Sequence, residues 1–329
     1  PAGRTSHLPA VLGAALAVVV AAPLAVSPSA LAGTGGPPAD AVLRQRAYLK
    51  LAETSPQDRF GAAVAVDGDT AVVGAPLEDG DGQNSGVVRV FIRQSGAWVP
   101  QATLRASNAE LADEFGGAVA ISGDTIVVGA PREDGSTPGV QAGGLPGPVE
   151  DEDGLMSSGA AYVFVRTAGT WTQQAYLKPL DPDGEGFFGA SVGVDGDLVV
   201  VGAPRTDVLP LGGGSGGMLL EAGAAYVFAR DGSTWAQEAR LNPADLDGQD
   251  SYGLSVAISG ERVVVGASLE DGGSSGVNGT SADDGRSQSG AAWVFARGAA
   301  GTWSQEAYLK ASNPEALDQF GHSVAIDED

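Results

Sequence analysis

Phe60-Gly61-Ala62-Ala63-Val64-Ala65-Val66-Asp67, followed by Thr70-Ala71-Val72-Val73-Gly74-Ala75-Pro76, is the stretch that decides the fold. Its pattern returns as Phe115-Gly116 with Gly129-Ala130-Pro131, and as Phe188-Gly189 with Gly202-Ala203-Pro204. It returns again as Tyr252-Gly253 with Gly266-Ala267-Ser268, and a fifth copy opens at Phe320-Gly321. The starts at 60, 115, 188, 252 and 320 lie 55, 73, 64 and 68 residues apart. Self-similarity at this period means one structural unit copied in an array, so the array is read as a single fold.

Each unit holds two further conserved-length segments. Gly86-Val87-Val88-Arg89-Val90-Phe91-Ile92-Arg93 precedes Trp98, and its siblings run from Gly159 to Arg166, Gly223 to Arg230 and Gly290 to Arg297. Trp98, Trp171, Trp235 and Trp303 follow at one common position. Val, Ile, Tyr, Phe and Trp fill these segments, and Gly, Asp, Asn, Ser and Pro separate them, which is the signature of short strands. The first unit should hold strands at about 60–67, 70–75, 86–93 and 98–105. Asp67-Gly68-Asp69, Ser122-Gly123-Asp124, Asp195-Gly196-Asp197 and Ser259-Gly260-Glu261 read as tight hairpin turns.

Four antiparallel strands per unit suggest an all-β chain, a β-propeller of four-stranded antiparallel blades. Small residues occupy the first two strands, where blades converge, and bulky ones the last two, where blades splay. A β-solenoid is the competing repeat architecture, but its coils are usually shorter. On these motifs the chain resembles the FG-GAP family, the integrin-α-type propeller repeats, and in particular their bacterial secreted members. The resemblance covers about residues 47–326 and rests on Phe-Gly and Gly-Ala-Pro recurring in register. It implies a propeller used for adhesion or ligand binding outside the cell. The family's Asp-rich calcium loop, placed between the two motifs, is replaced by the short turns above, so that site is not expected.

Residues 1–32 read differently. Arg4 precedes an apolar run from Leu8 to Val26, and Ala30-Leu31-Ala32 offers a small-x-small cleavage site. This pattern fits a secretory signal peptide. The run also has nearly the length of a membrane anchor, but Pro23, Pro28 and the cleavage site favour a leader. Residues 33–42 read as a linker and 43–329 as the repeat region. Ala47-Tyr48-Leu49-Lys50 repeats Ala307-Tyr308-Leu309-Lys310, as a closing fourth strand would. The expected content is therefore incomplete: a closing strand, four blades and the start of a fifth.

Cysteine is absent, so disulfides and thiol chemistry are excluded, and 15 arginines against 3 lysines suggest a high-GC bacterial gene. Net charge is −23, and its placement is informative. In an up-down blade, the links between strands two and three share an end with the links between blades. Those links (77–85, 132–158, 205–222, 269–289 and 53–59, 106–114, 179–187, 242–251, 311–319) hold 28 of the 41 acidic residues. Only Arg59, Arg132, Arg205 and Arg286 oppose them, leaving −24 there and +1 elsewhere. Such a face disfavours nucleic acid and anionic lipid and attracts cations or basic partners.

Some of these loops space carboxylates as calcium ligands are spaced. The candidates are Asp181, Asp183 and Glu185; Asp245, Asp247 and Asp250; and Glu78, Asp79 and Asp81, with Glu150-Asp151-Glu152-Asp153 as a further run. Simple solvation of Gly-rich loops explains the same residues. Asp58, Asp113, Asp250 and Asp318, two before four of the five aromatic-Gly pairs (Gly186 holds that place in the other), should bond the backbone two residues on. The recurrent tryptophans should pack between blades, although sugar stacking would use the same rings.

Catalysis finds little to stand on. The histidines are His7, in the leader, and His322. Ser-His-Asp and Cys-His sites are disfavoured, and no phosphate loop or dinucleotide fingerprint is present. The reading is a non-enzymatic, secreted or cell-surface binding propeller that meets an extracellular protein or glycan through its acidic face, with calcium assisting and no membrane insertion after leader removal. The alternative is the propeller portion of a secreted hydrolase acting on phospholipid or polysaccharide.

Overall fold

The computed structural model describes residues 45, 47–50, 55, 57–143, 154–209, 218–243, 246–279 and 284–327. The chain divides into Pro1–Tyr48 and Leu49–Asp329. Within the first unit, Gln45 Nε2 donates to the Ala47 carbonyl at 3.2 Å. The leader at 1–32 and the linker at 33–42 lie outside the described residues. Among the described residues no helix is long and apolar enough to cross a membrane.

The second unit is all-β and built of four antiparallel sheets, the blades of a propeller. The first contains β1 (Val64–Asp67), β2 (Thr70–Ala75), β3 (Val87–Gln94) and β4 (Ala97–Leu104), paired in chain order. The second contains β5 (Ala118–Ser122), β6 (Thr125–Ala130), β8 (Ala160–Thr167) and β9 (Thr170–Leu177), with β7 (Val140–Ala142) added beyond β9. The third contains β10 (Ser191–Asp195), β11 (Leu198–Ala203), β12 (Ala224–Asp231) and β13 (Thr234–Leu241). The fourth contains β14 (Ser255–Ser259), β15 (Arg262–Ala267), β16 (Ala291–Arg297) and β17 (Trp303–Leu309). First strands β1, β5, β10 and β14 lie against one another where the sheets converge.

Two expected strands do not form among the described residues. Ala47–Lys50 joins no ladder, and the fifth copy makes only a parallel bridge from Phe320 to Gly290. In both cases no partner strand of the same blade lies among the described residues. Leu49 instead packs on the cluster of Ala71, Val73 and Phe91.

Phe-Gly also stands outside the first strand, which begins at Val64 rather than 60. The pair forms the centre of a turn closed by Ala62 N–H donating to the Arg59 carbonyl at 2.9 Å. Gly61, Gly116, Gly189, Gly253 and Gly321 have φ of 91°, 92°, 90°, 90° and 82°. That is the third-position geometry of a type II turn, open to glycine without strain. The same glycine meets the glycine of the preceding Gly-Ala-Pro across the seam between blades. A Cβ on Gly74, Gly129, Gly202 or Gly266 would run into the carbonyl oxygen of Gly116, Gly189, Gly253 or Gly321. The two motifs that mark the repeat are the two halves of one backbone contact.

Apolar cores sit between blades. Val72, Val88 and Val90 of the first face Phe115, Ile126 and Val128 of the second, and the pattern continues along the array. Edge-to-face rings, Phe115–Tyr162 at 5.3 Å, Phe188–Tyr226 at 5.6 Å and Tyr252–Trp293 at 5.4 Å, repeat at one position.

Each third-to-fourth strand pair carries a bulge at the same place, after Val90, Val163, Val227 and Val294. The residues skipped in the ladder are Gln101, Gln174, Glu238 and Glu306. A bulge re-aims the side chain it carries, and here Gln101, Gln174 and Glu238 aim at the next blade while Glu306 pairs with Arg262 of its own. Trp171, Trp235 and Trp303 donate their indole N–H to Gln101, Gln174 and Glu238 at 3.0, 2.8 and 2.7 Å. The expectation of tryptophan packed between blades holds.

Turns at the opposite end from the long loops are also linked. Asp67 accepts from Gly123 N–H at 2.6 Å, Ser122 from Gly196 N–H at 3.2 Å, and Asp195 from Gly260 N–H at 2.6 Å. The third residue of each turn pairs with the arginine ending the third strand. Arg166–Asp124 and Arg230–Asp197 lie at 2.6 Å and Arg297–Glu261 at 3.9 Å. Arg166 and Arg230 stack on Trp171 and Trp235 at 4.9 and 5.0 Å.

Candidate functional site

The second-to-third-strand loops and the links between blades share one end, as the up-down topology requires, and their backbones bond to each other. Ala112 N–H donates to Gln83, Glu185 N–H to Met156, Gln249 N–H to Leu220 and Leu317 N–H to Ser287, at 3.0, 2.7, 2.9 and 3.0 Å. The acid-bearing segments therefore form one knitted surface. Inserted length reaches the blade edge: Val140–Ala142 returns to pair with β9, in a segment read from sequence as loop.

Beneath this surface lie buried ionic clusters. In the second blade Glu133 Oε2 lies 2.6 Å from Lys178 Nζ, both essentially buried. Tyr176 and Asn108 donate to Glu133 Oε1 at 2.7 and 3.2 Å, and Lys178 also donates to Ser158 Oγ. The fourth blade repeats the arrangement with Glu270, Lys310, Tyr308 and Ser289. The first blade substitutes Glu78 with Arg89, and the third has Thr206 and Asn242 in place of the glutamate and lysine. A buried ion pair holds when further hydrogen bonds satisfy it, and these clusters root the loop where it leaves β6 and β15. Sequence reading passed over them, although the glutamate stands two residues after the Gly-Ala-Pro or Gly-Ala-Ser motif.

The recurrent aspartate bonds backward rather than forward. Asp113, Asp250 and Asp318 accept from the N–H three residues earlier, of Glu110, Asp247 and Glu315, at 2.7, 2.9 and 2.8 Å. Asp58 does the same with Ser55. The direction reverses because the following turn is already closed by its own backbone bond. Burial pushes the Asp113 carboxyl up to about 7, against the pull of the Glu110 N–H and with Glu133 adding to the rise. Burial pushes Asp250 up to about 8, against the Asp247 N–H, with Glu270 adding in the same way.

The candidate calcium ligands are spread and engaged. Glu78 pairs with Arg89, Asp81 with Arg105 at 3.9 Å, and Asp79 accepts from Asn84 N–H at 2.9 Å. Asp181 pairs with Arg240, and Asp183 accepts from Asp207 N–H at 2.8 Å. Burial raises the Asp183 carboxyl above its ordinary value, the Asp207 bond opposes this, and the Asp207 and Asp181 charges add to it. Glu185 stands exposed at φ 60°. Asp247 gives its backbone N–H to Asp250. Asp245 and Glu150 to Asp153 lie outside the described residues. Among the described residues no three carboxylate or imidazole groups gather closely enough to hold a metal ion.

Near the convergence of the blades, the residue before each aromatic-Gly pair takes the left-handed backbone conformation. Arg59, Glu114, Phe187, Ser251 and Gln319 have φ between 53° and 56°. None is glycine, so each costs about 1–2 kcal/mol. Three of them, with Arg132 and Arg205, surround a shallow concavity of about 360 Å³. The sequence marked those arginines only as the few bases within the acidic loops.

A family model described as the FG-GAP repeat matches residues 44–91, 98–144, 171–228, 235–295 and 303–329, most of the chain. No curated protein matches it. The chain belongs to the FG-GAP repeat family, whose repeats make propeller domains of the binding and adhesion type.

Proposed function

From its membership in the FG-GAP repeat family, we propose that the chain is an extracellular, non-enzymatic binding module whose acidic loop end engages a positively charged protein or glycan surface. One observation carries this: the loop segments hold a charge of −24 while the remainder holds +1. Charge concentrated at one end steers an oppositely charged partner and fixes its orientation. Rigid blades beneath supply the scaffold such loops need. Calcium would assist by bridging loop carboxylates such as Asp181, Asp183 and Glu185 once they leave their present partners.

The test is binding of an oligolysine peptide at about 50 and 300 mM salt, where screening differs severalfold. Affinity should fall steeply with salt. It should also fall when Asp181, Asp183 and Glu185 are changed to Asn, Asn and Gln, and stay when Asp124 and Asp197 are changed to Asn. Equal loss from both sets would refute a face-specific partner.

A further inference from the structure

The acidic end contains one place of opposite character. Arg59, Arg132 and Arg205 are three of the four bases in the loop segments, and all three border the same concavity. The guanidinium carbons of Arg132 and Arg205 lie 6.0 and 5.3 Å from the centre of the Phe187 ring. Pro76, Pro131 and Pro204, one from each of three consecutive blades, add apolar wall. Three cations and one acid, Glu114, stand around an apolar bed, leaving a net positive lining.

Donors remain available there. Arg132 Nε lies 3.0 Å from Glu114 Oε1 in an ion pair, and Arg205 gives Nε and one terminal nitrogen to Glu221. A guanidinium has five N–H groups, so each keeps terminal N–H groups uncommitted among the described residues. Arg59 is exposed and has no ion-pair partner among them. Phe187 sits at φ 54°, a conformation a bulky side chain adopts only when its surroundings hold it there. That backbone recurs in every unit, but the aromatic ring occurs in one.

We propose that this concavity binds a single carboxylate on a short apolar stem, carried by a Glu or Asp side chain of a partner or by a free aliphatic acid. This rests on the reading of the loop end as a binding face. A carboxylate matches the guanidinium fork in shape and charge. The stem would lie on Phe187 and the prolines. The surrounding field selects for a lone negative charge, because a polyanion would be repelled by the loops around it.

Three probes test the site by calorimetry: a net-neutral peptide bearing one Glu, the same peptide with Gln in its place, and sodium hexanoate. The Glu peptide should bind and the Gln peptide should lose at least about tenfold, as for a charge-assisted pair. Arg59→Gln and Arg205→Gln should each weaken the Glu peptide at least about fivefold with the unfolding midpoint unchanged. Displacement by hexanoate supports the site and admits a free acid as occupant; failure to displace supports it and restricts the occupant to a protein-borne carboxylate. Equal affinity for the two peptides, or full affinity in both arginine variants, overturns the proposal. Oligolysine binding is read in parallel on the same variants, so its loss with the Glu peptide retained would remove the acidic-face reading and leave the concavity standing.

Discussion

The two ends of the blades carry charge in opposite ways. At the hairpin-turn end, Asp124 and Asp197 are matched by Arg166 and Arg230, which lie on Trp171 and Trp235. Asp67 and Asp195 hold the next blade's turn by its backbone. Each of these charges has a mechanical task. At the loop end, acids outnumber bases, some carboxyls are pushed upward by burial, and the loops vary in length from unit to unit. The lesson is that charge at one end is matched pair by pair to fix the array, and at the other exceeds what the ion pairs of the array use.

Four changes would break or sharpen that contrast. Trp171→Ala removes a buried ring, its bond to Gln101 and the stacked Arg166, and should cost about 3–5 kcal/mol in denaturant unfolding. A cost near zero would mean that the turn end does not hold the blades.

Next in size is a pH effect at the loop end. Asp250 titrates at about 8 in the folded chain and near 3.8 otherwise, so its protonated form stabilises the fold. That contribution is complete below the ordinary value and is lost as pH rises through about 8. Asp250→Asn keeps an acceptor for Asp247 and should flatten the fall of the urea midpoint between pH 5 and 9. An unchanged slope would place the titration elsewhere.

Asp195→Ala breaks one turn-to-turn bond and should cost about 0.5–1.5 kcal/mol. No loss at all would show that this turn-to-turn bond adds nothing to the apolar and tryptophan contacts between adjacent blades. Of similar size, changing Asp181, Asp183 and Glu185 to Lys removes the Arg240 pair and the acceptor for the Asp207 N–H, and should cost about 1 kcal/mol. The same variant should abolish any calcium heat seen by calorimetry with the parent, and heat retained in full would move calcium binding to other loops.

Much of this was legible from residues. Strand content, blade number, the interblade tryptophans and the shared end of the acidic loops all follow from period and residue type. What escaped depends on register. Gln101, Gln174, Glu238 and Glu306 become special only because a bulge skips them, and nothing local in Gln-Ala or Glu-Ala announces a bulge. The strand at Val140–Ala142 lies in a Gly- and Pro-rich stretch, and tertiary pairing with β9 overrides that composition. The convergence of Arg59, Arg132 and Arg205 spans three units and requires the array to be assembled before it exists. Acidic spacing likewise gave no sign that the Asp79 and Asp183 side chains accept hydrogen bonds from loop backbone.

Most side-chain and turn hydrogen bonds across each seam run one way; exceptions include the Ser191 and Ser255 hydroxyls, which donate forward to Gly253 and Gly321. Trp171, Arg166 and Gly123 of a later unit all give hydrogens to an earlier one, through Gln101, Thr70 and Asp67. Trp235, Arg230 and Gly196 repeat this toward Gln174, Thr125 and Ser122. Every module thus has a plug on one flank and a socket on the other, and the fittings are nearly interchangeable. Copies can be gained or lost by recombination without redesigning a joint, while a module inserted back to front would find plug facing plug.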